Sequence, residues 1–227
     1  NKPIGLDKQV IEVKIPGTHK QTASVFKEEL LKNSSVQSVS RAGASPVLEH
    51  FVLLLKYEEN GKEIQYTPSG FSGDENYIST LGIDLIEGEG FSDNPKSNSN
   101  KILINESLAK LFPNQNLIGM GLPGMEKKIV TGIVTDFHYS NLKSVVEPAF
   151  LGYDSNGRHM MVKAADNQLE ELQAVIARTW EKLIPDYPLN FESIGDRYAW
   201  MHRENKNYIR LIGACCLISI FLSKIGL

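Results

Sequence analysis

VIEVKIPGTHKQTASVFKEELLKNSSVQSVS, residues Val10–Ser40, changes its hydrophobic period twice. Val10–Ile15 alternates apolar and polar residues, the period-2 pattern of a half-buried strand. Pro16-Gly17 interrupts it. Thr18 and Gln21 then stand at capping-box spacing, and Ala23, Phe26 and Leu30 recur at helical intervals as far as Lys32. Asn33-Ser34-Ser35 closes that helix, and Val36–Ser40 alternates again, so the segment reads as one β-α-β unit.

The same pattern returns late in the chain. His159–Ala164 is strand-like, and Asp166 is placed to cap a helix. Leu169, Leu172, Ile176, Trp180 and Leu183 then form one apolar stripe. Pro185 stops that helix, and Leu189–Ile194 alternates as a last strand. Two such units predict a split β-α-β, ferredoxin-like sheet and an α+β fold.

About 110 residues of mixed character separate the two units, too many for a loop and enough for an inserted subdomain. Val52–Tyr57 and Glu63–Tyr66 flank Asn60-Gly61, the pair favoured in a tight hairpin. Asp74–Leu81 reads as a short helix closed by Gly82, and Gly88 and Gly90 bracket a turn before Phe91. Ser92–Asn100 is a polar loop. Lys101–Ile104 is strand-like, and Asn105 caps a helix carrying Leu108, Leu111 and Phe112. Lys127–Val134 and Pro148–Tyr153 read as further strands.

Composition narrows the function classes. The chain has 227 residues, 41% hydrophobic and 22% charged, with a net charge of −3. That balance gives no electrostatic pull toward nucleic acid. The two cysteines, Cys215 and Cys216, are adjacent and not expected to pair with each other, so neither a disulfide framework nor a zinc cluster is present to read. Both lie in Ile209–Leu227, IRLIGACCLISIFLSKIGL, an apolar run interrupted by Arg210 and Lys224. A helix crossing a bilayer needs about 20 such residues, so this run is expected to begin a membrane span, with a buried helix of a soluble domain as the other reading. Gly213, Ala214, Ser219 and Ser223 suit helix contacts within a membrane. Asp196–Tyr208 is polar with interspersed aromatic residues, as at a membrane–water boundary. The chain is expected to be a piece of a longer protein.

Catalytic signatures are weak. Asp136-Phe137-His138, with Glu147 further on, could ligate a metal or serve as acid and base. No second histidine stands at zinc-helix spacing, and the bland reading is a turn in which Asp136 accepts backbone donors and His138 packs beside it. Neither G-x-S-x-G nor a phosphate-binding G-x-x-x-x-G-K-[ST] loop occurs. Gly119, Gly121 and Gly124 form G-x-G-x-x-G without the strand and helix that a dinucleotide site requires, and they read as turn glycines. Asn105 and Glu106 are explained by a helix N-cap with an acidic first turn.

The order of five segments carries a resemblance: GLDKQVIEVKIP from Gly5, ENYISTLGIDLIEGEGF from Glu75, ILINESLAKLF from Ile102, IVTGIVTDFHYSNLKSVVEP from Ile129 and LIGACCLISIFLSKIGL from Leu211. Together they resemble the MacB-type periplasmic core domain of bacterial ABC-transporter permeases, in the FtsX-like class. The resemblance implies a porter-like subdomain formed by residues 1–45 and 156–195, with an inserted Sabre-like subdomain, mixed α/β, at 46–155. It makes 196–227 a stalk and the start of a transmembrane helix, and places Asn1 just after a preceding helix. Gly82, Gly88 and Phe91 match one family motif, Asn105 and Glu106 another, and Asp136, Phe137 and His138 a third; all are expected to define the fold and none to be catalytic.

The implied role is non-enzymatic. The domain would sit in the periplasm, anchored in the bacterial inner membrane, and couple cytoplasmic ATP hydrolysis to export or extraction of a substrate by mechanotransmission. The chain would hold no cofactor itself, ATP being used by a separate or fused ABC ATPase. A permease dimer or pseudo-dimer and a periplasmic adaptor or outer-membrane component are the further partners implied. A membrane-tethered sensor with a ligand pocket is the alternative, and an enzyme using Asp136 and His138 a third.

Overall fold

The computed structural model describes residues 9–47, 49–113, 115–139, 146–197 and 199, with the backbone of 2–3. The first elements are β1 Lys2–Pro3, β2 Val10–Lys14, α1 Thr22–Leu31 and β3 Val36–Ala42. Then come β4 Phe51–Val52, β5 Leu55–Glu59, β6 Lys62–Tyr66, β7 Ser69–Gly73, α2 Tyr77–Leu81 and β8 Leu85–Gly88. β9 Lys101–Asn105, α3 Glu106–Ala109, β10 Gly121–Leu122, β11 Met125–Val134, β12 Phe137–His138 and β13 Ala149–Tyr153 follow. β14 His159–Ala164, α4 Leu169–Leu183 and β15 Phe191–Ser193 close the series.

Eleven strands share one mixed sheet in the order β10-β11-β9-β13-β7-β3-β14-β2-β15, with β4 beside β7 and β8 beside β11. Within β3-β14-β2-β15 every neighbour is antiparallel. β2 and β3, joined through α1, therefore run parallel with β14 between them. That is the split β-α-β arrangement, and the fold is α+β.

Period 2 in β2 puts Ile11 and Val13 on the face covered by α1 and α4, where they join Phe26, Leu30, Leu172, Ile176 and Trp180 in one core. Phe26 meets Trp180 edge to face at 5.8 Å. Each fully buried side chain of this size contributes about 1.5–3 kcal/mol. Val10 and Glu12 face the other way. Val10 packs in a second core with Phe71, Tyr77, Leu103, Met161 and Ile194, and Glu12, a charged residue in mid-strand, is only 6% exposed.

The middle strands continue the same sheet through the pairing of Ala42 with Gly73. Ile102, Ile104, Leu108, Phe112, Val130 and Phe150 fill a third core. The β5–β6 hairpin covers it, with Tyr57 and Tyr66 5.3 and 5.5 Å from the Phe112 ring. Asn60 and Gly61 turn that hairpin with φ of 52° and 73°, the positive values a type I′ turn needs.

Several local expectations are corrected. Thr18 does not cap α1: Gly17–His19 forms a 3₁₀ turn, and the helix begins at Thr22 with no side-chain cap. Asp166 is likewise too far upstream of α4, whose N-cap is Gln168, because Asn167 turns the chain at φ 58°. The helix after Asn105 is one turn long. Leu111 and Phe112 then donate to Leu108 and Ala109 in tighter i→i+3 bonds, which swing Leu111 outward to 43% exposure while Phe112 stays buried. Val52–Tyr57 is not one strand but two, interrupted at Leu53-Leu54. Leu85–Gly88, unassigned from the sequence, is an edge strand exposed throughout, so no inward face imposes an alternating pattern.

The apolar run Ile209–Leu227, and all of Asp196–Tyr208 beyond 197 except 199, lie outside the described residues. Among the described residues no helix is long and apolar enough to cross a membrane.

Candidate functional site

Parallel pairing of β9 with β11 brings the ends of two sequence motifs together, Asn105 beside Val134. Asn105 is fully buried. Its Oδ1 accepts from Leu108 N, capping α3, and from Ala149 N on β13, both at 2.9 Å. Its Nδ2 donates to the Glu147 carbonyl at 3.0 Å. The Asp136 carboxylate accepts from Ser107 N and Ser107 Oγ, each at 2.8 Å, with Lys110 Nζ at 3.6 Å. In return, Asp136 N donates to Glu106 Oε2 at 3.1 Å. Asn105, Glu106 and Asp136 thus lace two strand ends to a one-turn helix and to β13.

Phe137 is buried against Phe71 at 5.7 Å. His138 is half-buried in β12, whose backbone pairs with β1. Next to it Tyr139 Oη lies 2.7 Å from Ser69 Oγ and donates to Glu147 Oε2 at 2.9 Å. Burial pushes that phenol up to about 12, the Ser69 hydroxyl pulling it down and Glu147 adding to the rise. Gly82 takes the left-handed position after α2, as read from the sequence. Gly88 is required at its site: φ is 77°, and a Cβ would stand 2.2 Å from the Thr131 carbonyl oxygen. Phe91 packs on Tyr153 at 5.4 Å. Phe91 packs against the same core as Phe137, and Gly88 pairs with Gly132 on β11. Among the described residues no group of three or more His, Cys, Asp or Glu is placed to hold a metal.

A second cluster escaped the sequence reading. Glu12 on β2 accepts from His159 Nδ1 at 2.6 Å, Ser45 Oγ at 2.7 Å and Arg197 Nη1 at 2.8 Å. Arg197 Nη1 also reaches Ser45 Oγ at 3.2 Å, and its Nη2 pairs with Glu192. Register explains the arrangement. Glu192 on β15 lies directly opposite Glu12, a like-charge pair that destabilises a sheet when unrelieved, and the Arg197 guanidinium bridges both. Burial pushes the Glu12 carboxyl up, but the His159 and Ser45 hydrogen bonds and the charges of Arg197 and His159 outweigh it and hold the group below the usual range. A cavity of about 120 Å³ opens beside the cluster. Ser45 bonds to the carboxylate rather than to the imidazole, so the cluster lacks the serine–histidine contact of a nucleophilic triad. What it does is fix Arg197, at the end of helical residues 194–197, to β2 and β15 at one edge of the sheet.

A third cluster joins β3 and α1 to the chain before α2. Asp74, 1% exposed, accepts from Lys27 Nζ at 2.6 Å, Ser40 Oγ at 2.7 Å, Arg41 N at 2.9 Å and Asn76 N at 3.1 Å. Glu75 adds Lys27 Nζ at 3.5 Å and the Tyr153 hydroxyl at 3.2 Å. The sequence signal for both clusters was a polar residue in or next to a strand with no solvent face to occupy, visible only once the covering segments are placed.

No protein-family model matches the sequence, and no curated protein matches it. Solved structures do match. The periplasmic region of MacB from Actinobacillus actinomycetemcomitans aligns with a TM-score of 0.55 at 15% identity, over 88% of this chain and 94% of that one. The extracellular domain of the noncanonic ABC-type transporter YknZ from Gram-positive bacteria aligns at 0.52 and 14% identity, over 82% and 99%. With its split β-α-β sheet and the strands inserted between the two units, this chain has the fold of the MacB periplasmic region.

Proposed function

We propose that this chain is the extracytoplasmic domain of an ABC-transporter permease, anchored by Ile209–Leu227 in the bacterial inner membrane. The observation that carries the reading is the fold match to two extracytoplasmic domains of such transporters, over nearly the whole length of each. The domain is a transmitter of motion rather than an enzyme. ATP hydrolysis by a separate or fused ABC ATPase moves the membrane helices, and the stalk passes that motion outward to drive export or extraction of a substrate. Partners are that ATPase, a second permease copy or half, and an extracytoplasmic component.

Two clusters suit transmission. Arg197 ties the start of the stalk to β2 and β15 through Glu12 and Glu192, the contact to Glu12 being largely desolvated and so resistant to slippage. Asp74 ties residues 1–45 and 156–195, the porter-like unit, to the inserted unit 46–155. Motion arriving at Arg197 then shifts one unit against the other across the Asp74 junction.

Locking that junction tests the mechanism. Ser38→Cys and Thr80→Cys, whose hydroxyls lie 3.0 Å apart across that junction outside the Asp74 cluster, should on oxidation to a disulfide in the complete permease abolish transport, which returns on reduction. Full transport in the locked state would overturn the transmission reading.

A further inference from the structure

His159 is enclosed by groups that respond oppositely to its two charge states. Its Nδ1 donates to Glu12 Oε1 at 2.6 Å, which assigns the proton of the neutral ring to Nδ1 and leaves Nε2 as an acceptor. Nε2 faces Glu49 Oε2 at 3.8 Å. In the neutral ring an imidazole lone pair therefore points at a carboxylate, and no hydrogen bond forms. In the charged ring Nε2–H is a donor aimed at an anion, and closing by about 1 Å would make a charge-assisted bond of ordinary length.

The other groups around the ring do not cancel this. On β2, Glu12 is already bonded to Nδ1, and Lys14 offers Glu49 an alternative partner at 3.9 Å. Ser45 and the Arg197 guanidinium are committed to Glu12, and Glu192 on β15 to Arg197. On β3 the residue opposite His159 is Ala42, which carries no charge. Glu49 is half-exposed and within reach of both Lys14 and His159. The 120 Å³ cavity, lined by these residues, has room for the water that would bring a proton.

We infer that His159 is a proton-operated latch: when charged it draws Glu49 and the segment carrying Ser45 down onto the β2–β14 face, and when neutral it releases them to Lys14. Ser45 shares Arg197 with Glu12, so the latch acts on the anchor of the stalk and regulates the coupling proposed above, on which its physiological meaning rests. Its existence does not depend on transport.

The test follows amide hydrogen exchange of residues 43–50 in the full chain, held in detergent micelles. Exchange is compared at pH 5.5 and 7.5, after correction for the intrinsic pH dependence of exchange. Protection of this segment should be about two- to fivefold greater at pH 5.5, the equilibrium effect of one partly exposed ion pair. The difference should vanish in Glu49→Gln and in His159→Gln. Because Glu49 is half-exposed, Glu49→Gln keeps the fold, so the test survives even if His159→Gln unfolds. Equal protection at the two pH values in the unaltered chain, or a pH effect that persists in Glu49→Gln, overturns the latch. Either result leaves the cross-linking test of transmission untouched, so the two readings fail separately.

Discussion

Replacing Asn105 by Ala removes three hydrogen bonds from a position without solvent access. Loss of the N-cap on α3 costs about 1 kcal/mol. The Ala149 N–H, buried in the sheet, loses its acceptor at a cost of about 1–3 kcal/mol, and the Glu147 carbonyl loses a donor whose replacement by water is hindered by the same packing. The sum is about 2–5 kcal/mol. For a chain of this size, that lowers the midpoint of thermal unfolding by roughly 4–20 °C at 2–4 °C per kcal/mol. Asn105→Ser discriminates between the parts: its hydroxyl can still cap Leu108 N but is too short to reach β13 as well, so it should recover only about 1 kcal/mol. Circular dichroism of the full chain in detergent, heated and urea-titrated, measures all three. An Asn105→Ala chain as stable as the original would refute the structural role. Unchanged stability with lost transport would instead make Asn105 a functional residue.

Asp74→Ala leaves Lys27 with only Glu75 at 3.5 Å and strips two backbone N–H groups of their acceptor, and should cost about 2–4 kcal/mol, seen as a lower urea midpoint. Glu12 predicts the acid limb of stability. Its folded-state pKa lies below the ordinary value, so its contribution is complete above the unfolded-state value of about 4.3 and is lost as pH falls through the lower folded-state value. Urea unfolding followed from pH 7 to pH 3 should therefore show a decline below about pH 4.3 that is shallower in Glu12→Gln; equal slopes would remove Glu12 as its source.

Much of the architecture is legible in the sequence because it is periodic. The alternation in Val10–Ile15 and the apolar stripe of α4 each report a face that meets a core, and two such units suffice for the split β-α-β order. Asn105 and Gly82 were readable for a different reason: a cap or a left-handed turn is a local demand that one residue type meets. What stayed hidden depends on contacts between distant segments. Glu12 looked like the solvent side of a half-buried strand, and only Ser45 and residues 194–197, folded over that face, make it an anchor for Arg197. Asp74 read as the start of a helix, whereas its carboxylate is spent on β3 and α1. Thr18 and Asp166 had the right chemistry for caps and the wrong distance, since a 3₁₀ turn and the positive φ of Asn167 intervene.

ATP hydrolysis at the membrane is proposed to be coupled to this domain through Arg197. The direct measurement is to purify the complete membrane protein that carries the chain and record ATP hydrolysis and transport together, with and without Arg197→Ala. The expected result is an ATPase, fused or co-purifying, that still hydrolyses ATP in the variant while transport per ATP falls. Full transport per ATP in Arg197→Ala, or a complete protein with no ATPase attached, would contradict it.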